Sequence, residues 1–256
     1  MKKKSVLAIL MILCLLGGAT FGGIAVSQRC DAENSEAVYA SLRASVAQND
    51  DASQTLEGNS SSAGTGHGIS SLERYKPLYE VNNDFVGWIS IDGTNIDYPV
   101  VQSIHAQDYY LDHSFEKKAS AYGVPYVDEA CAIDQSNNVI LYGHNMKDGS
   151  MLHDLVNYAD KDFYAENPTI RFDTFRDYGT YEVIAAFRFD VRNEDFFFNE
   201  YHDMSETEFT EFIDNCKERS LYDTGKTAEY GDYLLTLCTC EYTYDDGRFV
   251  VVARKL

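Results

Sequence analysis

The sequence has little positive charge. Its 21 Lys and Arg residues stand against 41 Asp and Glu residues, which gives a formal net charge of −20. Proteins that bind nucleic acid present a basic surface to the phosphate backbone, so this composition argues against a nucleic-acid partner. The acidity is instead typical of a soluble protein surface.

Cysteine is also too scarce for a disulfide framework. Of six cysteines, Cys14 falls inside a long apolar run, and the remaining five are an odd number. Cys238 and Cys240 lie two apart on one predicted strand, where a bridge would require distortion, so we expect two free thiols. These two cysteines with His144 do not have the usual spacing of a zinc site, and no fourth ligand is evident. We therefore expect neither a metal nor a cofactor.

The amino terminus carries the one long hydrophobic run. Lys2-Lys3-Lys4 precedes a mainly apolar segment from Val6 to Val26, about the length that spans a bilayer. This pattern predicts an uncleaved signal anchor over residues 1–30 and a single-pass protein in the cell membrane, with the amino terminus inside and the carboxyl-terminal domain outside. A cleaved signal peptide, with Ala25-Val26-Ser27 as the cleavage site, is the alternative.

The next segment differs in composition from the rest of the chain. Residues 31–68 are polar and become low in complexity, which predicts a flexible extracellular stalk. A capping-box pattern, Ser70 to Glu73, then opens a short helix. Residues 69–256 are long enough for one domain with one core.

Short strands dominate that domain, with few helices between them. The candidate strands are Trp88–Ile91, Asn95–Val101, Tyr122–Val127, Asn138–Tyr142, Thr169–Phe172, Thr180–Asp190, Tyr233–Cys240 and Arg248–Arg254. Many short strands with localised helices indicate a mainly β protein, a closed or nearly closed barrel of about eight strands. One helix precedes the Cys240 strand, because Ser205 and Glu208 form a capping box and the apolar residues after them recur at helical spacing.

Three residues near the ends of predicted strands could together form a nucleophilic site. Alternation places Leu235 and Leu237 on one face of a half-buried strand and Cys240, at its end, on the other. A hairpin would return Arg248 to Cys240, where its guanidinium, with a backbone amide, can stabilise an oxyanion. His144, in a Gly-His-Asn turn, is the candidate partner that supplies a thiolate.

These residues and their surroundings resemble the class B sortases of Gram-positive bacteria. The similarity runs from about residue 69 to residue 256 and includes the helix before the cysteine strand. The matching motifs are Trp88-Ile89-Ser90-Ile91, Thr94 to Gln102, Asp108 to His113, Asn138 to Met151, Thr236-Leu237-Cys238-Thr239-Cys240 and the downstream Arg248. The resemblance implies that His144, Cys240 and Arg248 are catalytic and that the fold is the sortase barrel.

The resemblance also implies the reaction. Sortases are cysteine transpeptidases of the peptidase type, which cleave the C-terminal sorting signal of secreted proteins and join the acyl group to a peptidoglycan amine. Candidate peptide-binding residues are Cys238, Thr239, Glu241 and Tyr201. A pilin-polymerising sortase, a cysteine peptidase that only hydrolyses and a noncatalytic peptide-binding module remain alternatives. Papain-like peptidases place cysteine before histidine, whereas His144 precedes Cys240 here.

Overall fold

A computed structural model describes residues 35–48, 70–192 and 195–256. Helices are few and short. The α-helices are α1 (residues 35–48), α2 (Ser71–Val81), α3 (Lys161–Glu166) and α4 (Glu206–Arg219). The 3-10 helices are Tyr109–Leu111, His153–Ala159 and Phe198–Glu200.

Eight strands close into a barrel. They are β1 (Phe85–Ser90), β2 (Asp97–Val101), β3 (Tyr126–Val127), β4 (Asn138–Tyr142), β5 (Thr169–Thr174), β6 (Thr180–Asp190), β7 (Leu234–Cys240) and β8 (Gly247–Lys255). Their order around the barrel is β1-β2-β3-β4-β7-β8-β6-β5. The prediction of a closed, mainly β barrel of about eight strands with short peripheral helices is confirmed.

Two pairings in the barrel are parallel, β2 with β3 and β4 with β7, and the others are antiparallel. Because β4 and β7 run in the same direction, their carboxyl ends meet at one end of the barrel. The antiparallel hairpin of β7 and β8 returns the start of β8 to that same end. Three chain segments therefore converge there, the ends of β4 and β7 and the beginning of β8.

Strand β7 is more deeply buried than its alternating sequence predicts. Every residue from Leu234 to Thr239 is buried, so the expectation of a half-buried strand was wrong. In the barrel β7 lies between β4 and β8, and segments outside the sheet, including the 3-10 helix His153–Ala159, contact it. Burial on both faces follows from this central position, which alternation alone does not report.

The predicted helix before β7 is present as α4. The Ser205 hydroxyl accepts from the backbone of Glu208, and the Glu208 carboxylate accepts from the Ser205 amide, which completes the capping box. The apolar residues at helical spacing are all buried and α4 packs on β6: Phe209, Phe212, Ile213 and Cys216. The helix that Ser70 caps is α2, which continues past Pro77 to Val81.

Helix α1 differs from the stalk predicted for residues 31–68. Tyr39, Leu42 and Val46 recur at helical spacing and are buried. The Tyr39 hydroxyl donates to the Gly123 carbonyl at 2.8 Å, and its ring meets that of Tyr98 edge-on at 5.2 Å between centroids. Residues 35–48 therefore pack on the barrel. Residues 31–34 and 49–68 lie outside the described residues, and the domain boundary at 69 stays a prediction.

The localisation expected from the sequence must be corrected. Across residues 35–48, 70–192 and 195–256, no helix is long and apolar enough to cross a membrane, so a single-pass anchor has no support in this structure. The apolar run from Val6 to Val26, on which that expectation depended, lies outside the described residues.

Candidate active site

Cys240 and Arg248 face each other at the turn end of the β7–β8 hairpin. They are paired directly in the antiparallel register, which puts their side chains on the same face of the sheet. Both side chains are partly exposed. The hairpin requires glycine at 247, because a Cβ there would lie 2.5 Å from the Glu241 carbonyl oxygen. The predicted return of Arg248 to Cys240 is what the structure shows.

His144 reaches the same end of the barrel from β4. Tyr142 pairs with Cys238 in the parallel register, and the Gly143 amide donates to the Cys238 carbonyl at 3.2 Å. On the other side of His144, the Asn145 side chain donates to the Cys240 carbonyl at 2.9 Å. The two neighbours of His144 in sequence are thus both bonded to β7, and His144, Cys240 and Arg248 lie at the same end of the barrel.

The ring of His144 is oriented by a main-chain carbonyl. Its Nε2 atom lies 2.7 Å from the carbonyl oxygen of Leu111, an acceptor, so Nε2 carries the proton in this contact. Nδ1 is left as the ring nitrogen that can exchange a proton with a thiol. Sequence reasoning missed Leu111, because any residue has a backbone carbonyl and no side-chain pattern marks the one that is used.

The Gly247 carbonyl accepts hydrogen bonds from both candidate oxyanion donors, the Glu241 amide and the Arg248 guanidinium. The Glu241 amide, next in the chain to Cys240, donates to the Gly247 carbonyl at 2.9 Å. Nη1 of Arg248 donates to the same oxygen, also at 2.9 Å. The guanidinium has five N–H groups, so this contact fixes its position and leaves other donors for a ligand. The Glu241 amide is engaged in the hairpin.

Two of the candidate peptide contacts are buried within β7. Cys238 lies on the same face as Cys240 but is only 3% exposed. Burial raises the pKa of its thiol to about 12, although Arg248 acts in the opposite direction. Thr239 is 2% exposed, and its hydroxyl donates to the Gly143 carbonyl at 2.7 Å. Cys238 and Cys240 are both free thiols, as expected.

The Glu241 carboxylate is turned towards β6. Oε1 lies 3.5 Å from Nε of Arg188, and Oε2 accepts from the Thr243 amide at 2.9 Å. Arg188 and Thr239 both pair with Phe249, which puts them on the sheet face opposite Cys240. The structure therefore gives Glu241 a contact within the protein, on the side away from the thiol.

Tyr201 lies near the other end of β4. Its carbonyl accepts from Nδ2 of Asn138 at 2.8 Å, and its ring packs 5.4 Å from that of Phe212 in α4. Asn138 begins β4 and Tyr142 ends it, so the strand separates Tyr201 from the His144 end by about 13 Å. The structure does not bring Tyr201 to Cys240.

No cluster of three or more His, Cys, Asp or Glu side chains is arranged to hold a metal ion in the part of the chain that the structure describes. A thiol, an imidazole and a guanidinium are groups that in general can serve as a nucleophile, a proton carrier and a hydrogen-bond donor to an anion.

Comparison with known proteins identifies the family. The family model described as the sortase domain matches residues 89–256. The chain is 34% identical over 182 residues to sortase B of Listeria monocytogenes, covering 70% of this chain and 72% of that protein. It is 30% identical over 184 residues to sortase B of Staphylococcus aureus, covering 71% and 74%.

A solved structure gives the same result for the fold. The chain is similar to the Staphylococcus aureus sortase B-substrate complex with a TM-score of 0.74 and 25% identity, over 89% of this chain and 98% of that one. The closed barrel agrees with these matches. The chain belongs to the sortase family and, within it, to class B.

Proposed function

We propose that this sortase cleaves a peptide bond in a C-terminal sorting signal and transfers the acyl group to a peptidoglycan amine, with Cys240 as nucleophile. Membership of the sortase family supports cysteine transpeptidation in general. The observation that carries the residue assignment is the direct register pairing of Cys240 with Arg248, beside the end of the strand that leads to His144.

Acylation begins with transfer of the Cys240 proton to His144. Since Nε2 donates to the Leu111 carbonyl, Nδ1 is the atom that receives the proton. The thiolate attacks the scissile carbonyl and forms a tetrahedral oxyanion, which the guanidinium of Arg248 stabilises. The intermediate collapses to a thioester as the carbon–nitrogen bond breaks, and His144 returns its proton to the leaving amine.

The second half of the reaction reverses these roles. An acceptor amine attacks the thioester carbonyl and gives its proton to His144. Collapse of this second oxyanion forms the new amide bond and releases the Cys240 sulfur, which recovers the proton from the imidazolium. The chain supplies every group that these steps require, so no cofactor enters them.

The relatives support a peptide as the substrate. Sortase B of Staphylococcus aureus has been solved as a substrate complex, and this chain shares its fold over 89% of its own length. This likeness supports a sorting peptide as the acyl donor. We assign the acceptor as a peptidoglycan cross-bridge or stem-peptide amine.

The test is mass spectrometry of products. The purified full chain is incubated with a library of sorting-signal peptides, with and without amine acceptors that include glycine peptides and diaminopimelate-containing peptides. We expect an amine-dependent ligated product, which names both motif and acceptor. Cys240→Ala should make none, whereas Cys216→Ala, which removes a buried thiol from α4, should retain activity.

Other outcomes of this experiment would support one of the alternative functions. Hydrolysis at a rate that no amine changes would identify a peptidase. Ligation to a lysine of a pilin-type protein, in preference to peptidoglycan amines, would identify a pilin polymerase. Binding of peptide without cleavage would leave a peptide-binding module.

A further inference from the structure

Asn145 follows His144 in sequence and is 8% exposed, one of the few buried polar side chains in the described parts of the chain. Its Nδ2 donates to the Cys240 carbonyl at 2.9 Å. Its Oδ1 lies 2.7 Å from Nδ1 of His153. Both polar atoms of the amide are therefore in use, and each reaches a different segment of the chain.

These contacts define the orientation of the amide. Only the NH₂ group can donate to the Cys240 carbonyl, so Oδ1 must face His153 and Nδ1 of that ring must carry a proton. The reversed amide would set two acceptor oxygens against each other. His153, in the 3-10 helix His153–Ala159, thus donates to the amide oxygen and supports the orientation that the Cys240 carbonyl sets.

The peptide group between Cys240 and Glu241 is held on both sides as a result. Its carbonyl accepts from Asn145, and its amide donates to the Gly247 carbonyl at 2.9 Å. The main-chain oxygen of Asn145 also accepts from the Tyr242 hydroxyl at 3.1 Å, which ties the segment after the nucleophile to the histidine turn. The thiol belongs to Cys240, whose carbonyl is held, and the imidazole belongs to the residue before Asn145.

We propose that Asn145 is a positioning residue that fixes Cys240 relative to His144 by clamping the peptide after the nucleophile. The proposal deepens the transpeptidase function above and rests on it. Asn145 does not touch the reacting atoms. It acts through the Cys240 backbone, so its loss should alter the geometry of proton transfer and attack more than the binding of the peptide.

The experiment compares Asn145→Ala and Asn145→Asp with Asn157→Ala in the full chain, well below each unfolding midpoint. Asn157 is an exposed asparagine in the same 3-10 helix as His153. We expect kcat to fall about 10- to 100-fold in both Asn145 variants, with KM for the peptide within about 2-fold. Asp is the sharper test, because it keeps the size of Asn but cannot donate to the Cys240 carbonyl. Asn157→Ala should behave as wild type.

A double-mutant cycle tests the route through His153. His153→Ala should lower kcat less than Asn145→Ala does, and the double variant should be no slower than Asn145→Ala alone. Unchanged kcat in the Asn145 variants, or a loss that lies entirely in KM, overturns the positioning role. Additive losses overturn the assignment of His153.

A second readout does not depend on the substrate. The rate at which iodoacetamide alkylates Cys240 at fixed pH should fall at least about 5-fold in Asn145→Ala, because the thiol is no longer held where the imidazole can accept its proton. If the wild type makes no ligated product, the proposed function fails, and this rate still decides the clamp. An alkylation rate equal to that of Asn157→Ala rejects the clamp.

Discussion

The backbone carbonyl of Leu111 accepts a hydrogen bond of 2.7 Å from Nε2 of His144. No substitution of the Leu111 side chain can remove this acceptor, so the orientation of the imidazole depends on the 3-10 helix Tyr109–Leu111 itself. Tyr110, the central residue of that helix, holds it in place. The buried Tyr110 hydroxyl donates to Asp84 at 2.7 Å and accepts from Nδ2 of Asn82 at 2.9 Å.

Removal of this hydroxyl should therefore disturb catalysis at a distance. We expect Tyr110→Phe to lower the free energy of unfolding by about 1–2 kcal/mol, because a buried amide and a carboxylate lose a partner. We also expect kcat to fall several-fold through misorientation of His144. Denaturant unfolding and steady-state kinetics measure the two effects. Tyr109→Phe, in the same helix, retains its ring stacked on His113 and is the control. Lost stability with unchanged kcat would contradict the link.

The two neighbouring thiols should differ sharply in reactivity. Burial raises the pKa of Cys238 from its ordinary value of 9.0 to about 12, so the thiol stays protonated at neutral pH. At pH 8 only about one Cys238 in 10,000 is a thiolate, the form that alkylating agents attack. We expect iodoacetamide to modify Cys240 and leave Cys238 unmodified in the folded chain, as mass spectrometry of peptides would record.

The raised pKa of Cys238 also predicts how the stability of the folded chain changes at high pH. A raised pKa keeps Cys238 as a thiol until the pH approaches 12, while the unfolded chain ionises near 9, so its contribution to stability is lost as pH rises through that window. In denaturant both cysteines should react. Equal modification of the two thiols in the folded protein at pH 8 would show that Cys238 is accessible.

Much of the fold could be predicted because its signals are local. Alternating apolar residues bounded by turn residues gave approximately the right bounds for most strands, and Ser205 with Glu208 marked the start of α4. The register of Cys240 with Arg248 also follows from local information, since a short hairpin can bring back only the residues near its turn.

The features that could not be predicted from the sequence depend on contacts between residues far apart in the chain. Helix α1 has three buried residues among polar ones, and one of them, Tyr39, contacts Tyr98 and Gly123, which lie more than fifty residues away. The acceptor for His144 is a backbone atom and has no side-chain signature. The direction of the Glu241 carboxylate depends on Arg188, in a strand far away in sequence.

The direction of the Glu241 carboxylate, towards Arg188 and away from the thiol, can be tested by substitution. Its side chain is 12% exposed and contacts Arg188 and Thr243 on the face away from the thiol. We expect Glu241→Gln to lower the free energy of unfolding by about 1 kcal/mol and to leave KM for the peptide within about 2-fold. Glu229→Gln, an exposed change before β7, is the matched control. A large increase in KM with unchanged stability would instead support a direct contact between Glu241 and the peptide.

Helix α1 should contribute to the stability of the barrel. Tyr39 is 1% exposed and its hydroxyl donates to the Gly123 carbonyl at 2.8 Å. We expect Tyr39→Phe to lower the free energy of unfolding at pH 7 by about 1 kcal/mol, because the buried carbonyl loses its donor. Tyr79→Phe, at an exposed position in α2, should change it little. Urea unfolding of the full chain measures both.

The stability difference between wild type and Tyr39→Phe should depend on pH if the Tyr39 phenol is buried by packing of α1 on the barrel. Burial raises the pKa of Tyr39 above its ordinary value of 10.0, so the unfolded chain loses the phenolic proton at a lower pH than the folded chain does. The stability that the Tyr39 phenol contributes is full below pH 10 and declines above it, whereas phenylalanine does not titrate. The gap between wild type and Tyr39→Phe should therefore narrow as pH rises from 10. A gap that is absent at pH 7, or that stays constant above pH 10, would mean that α1 does not pack on the barrel in solution.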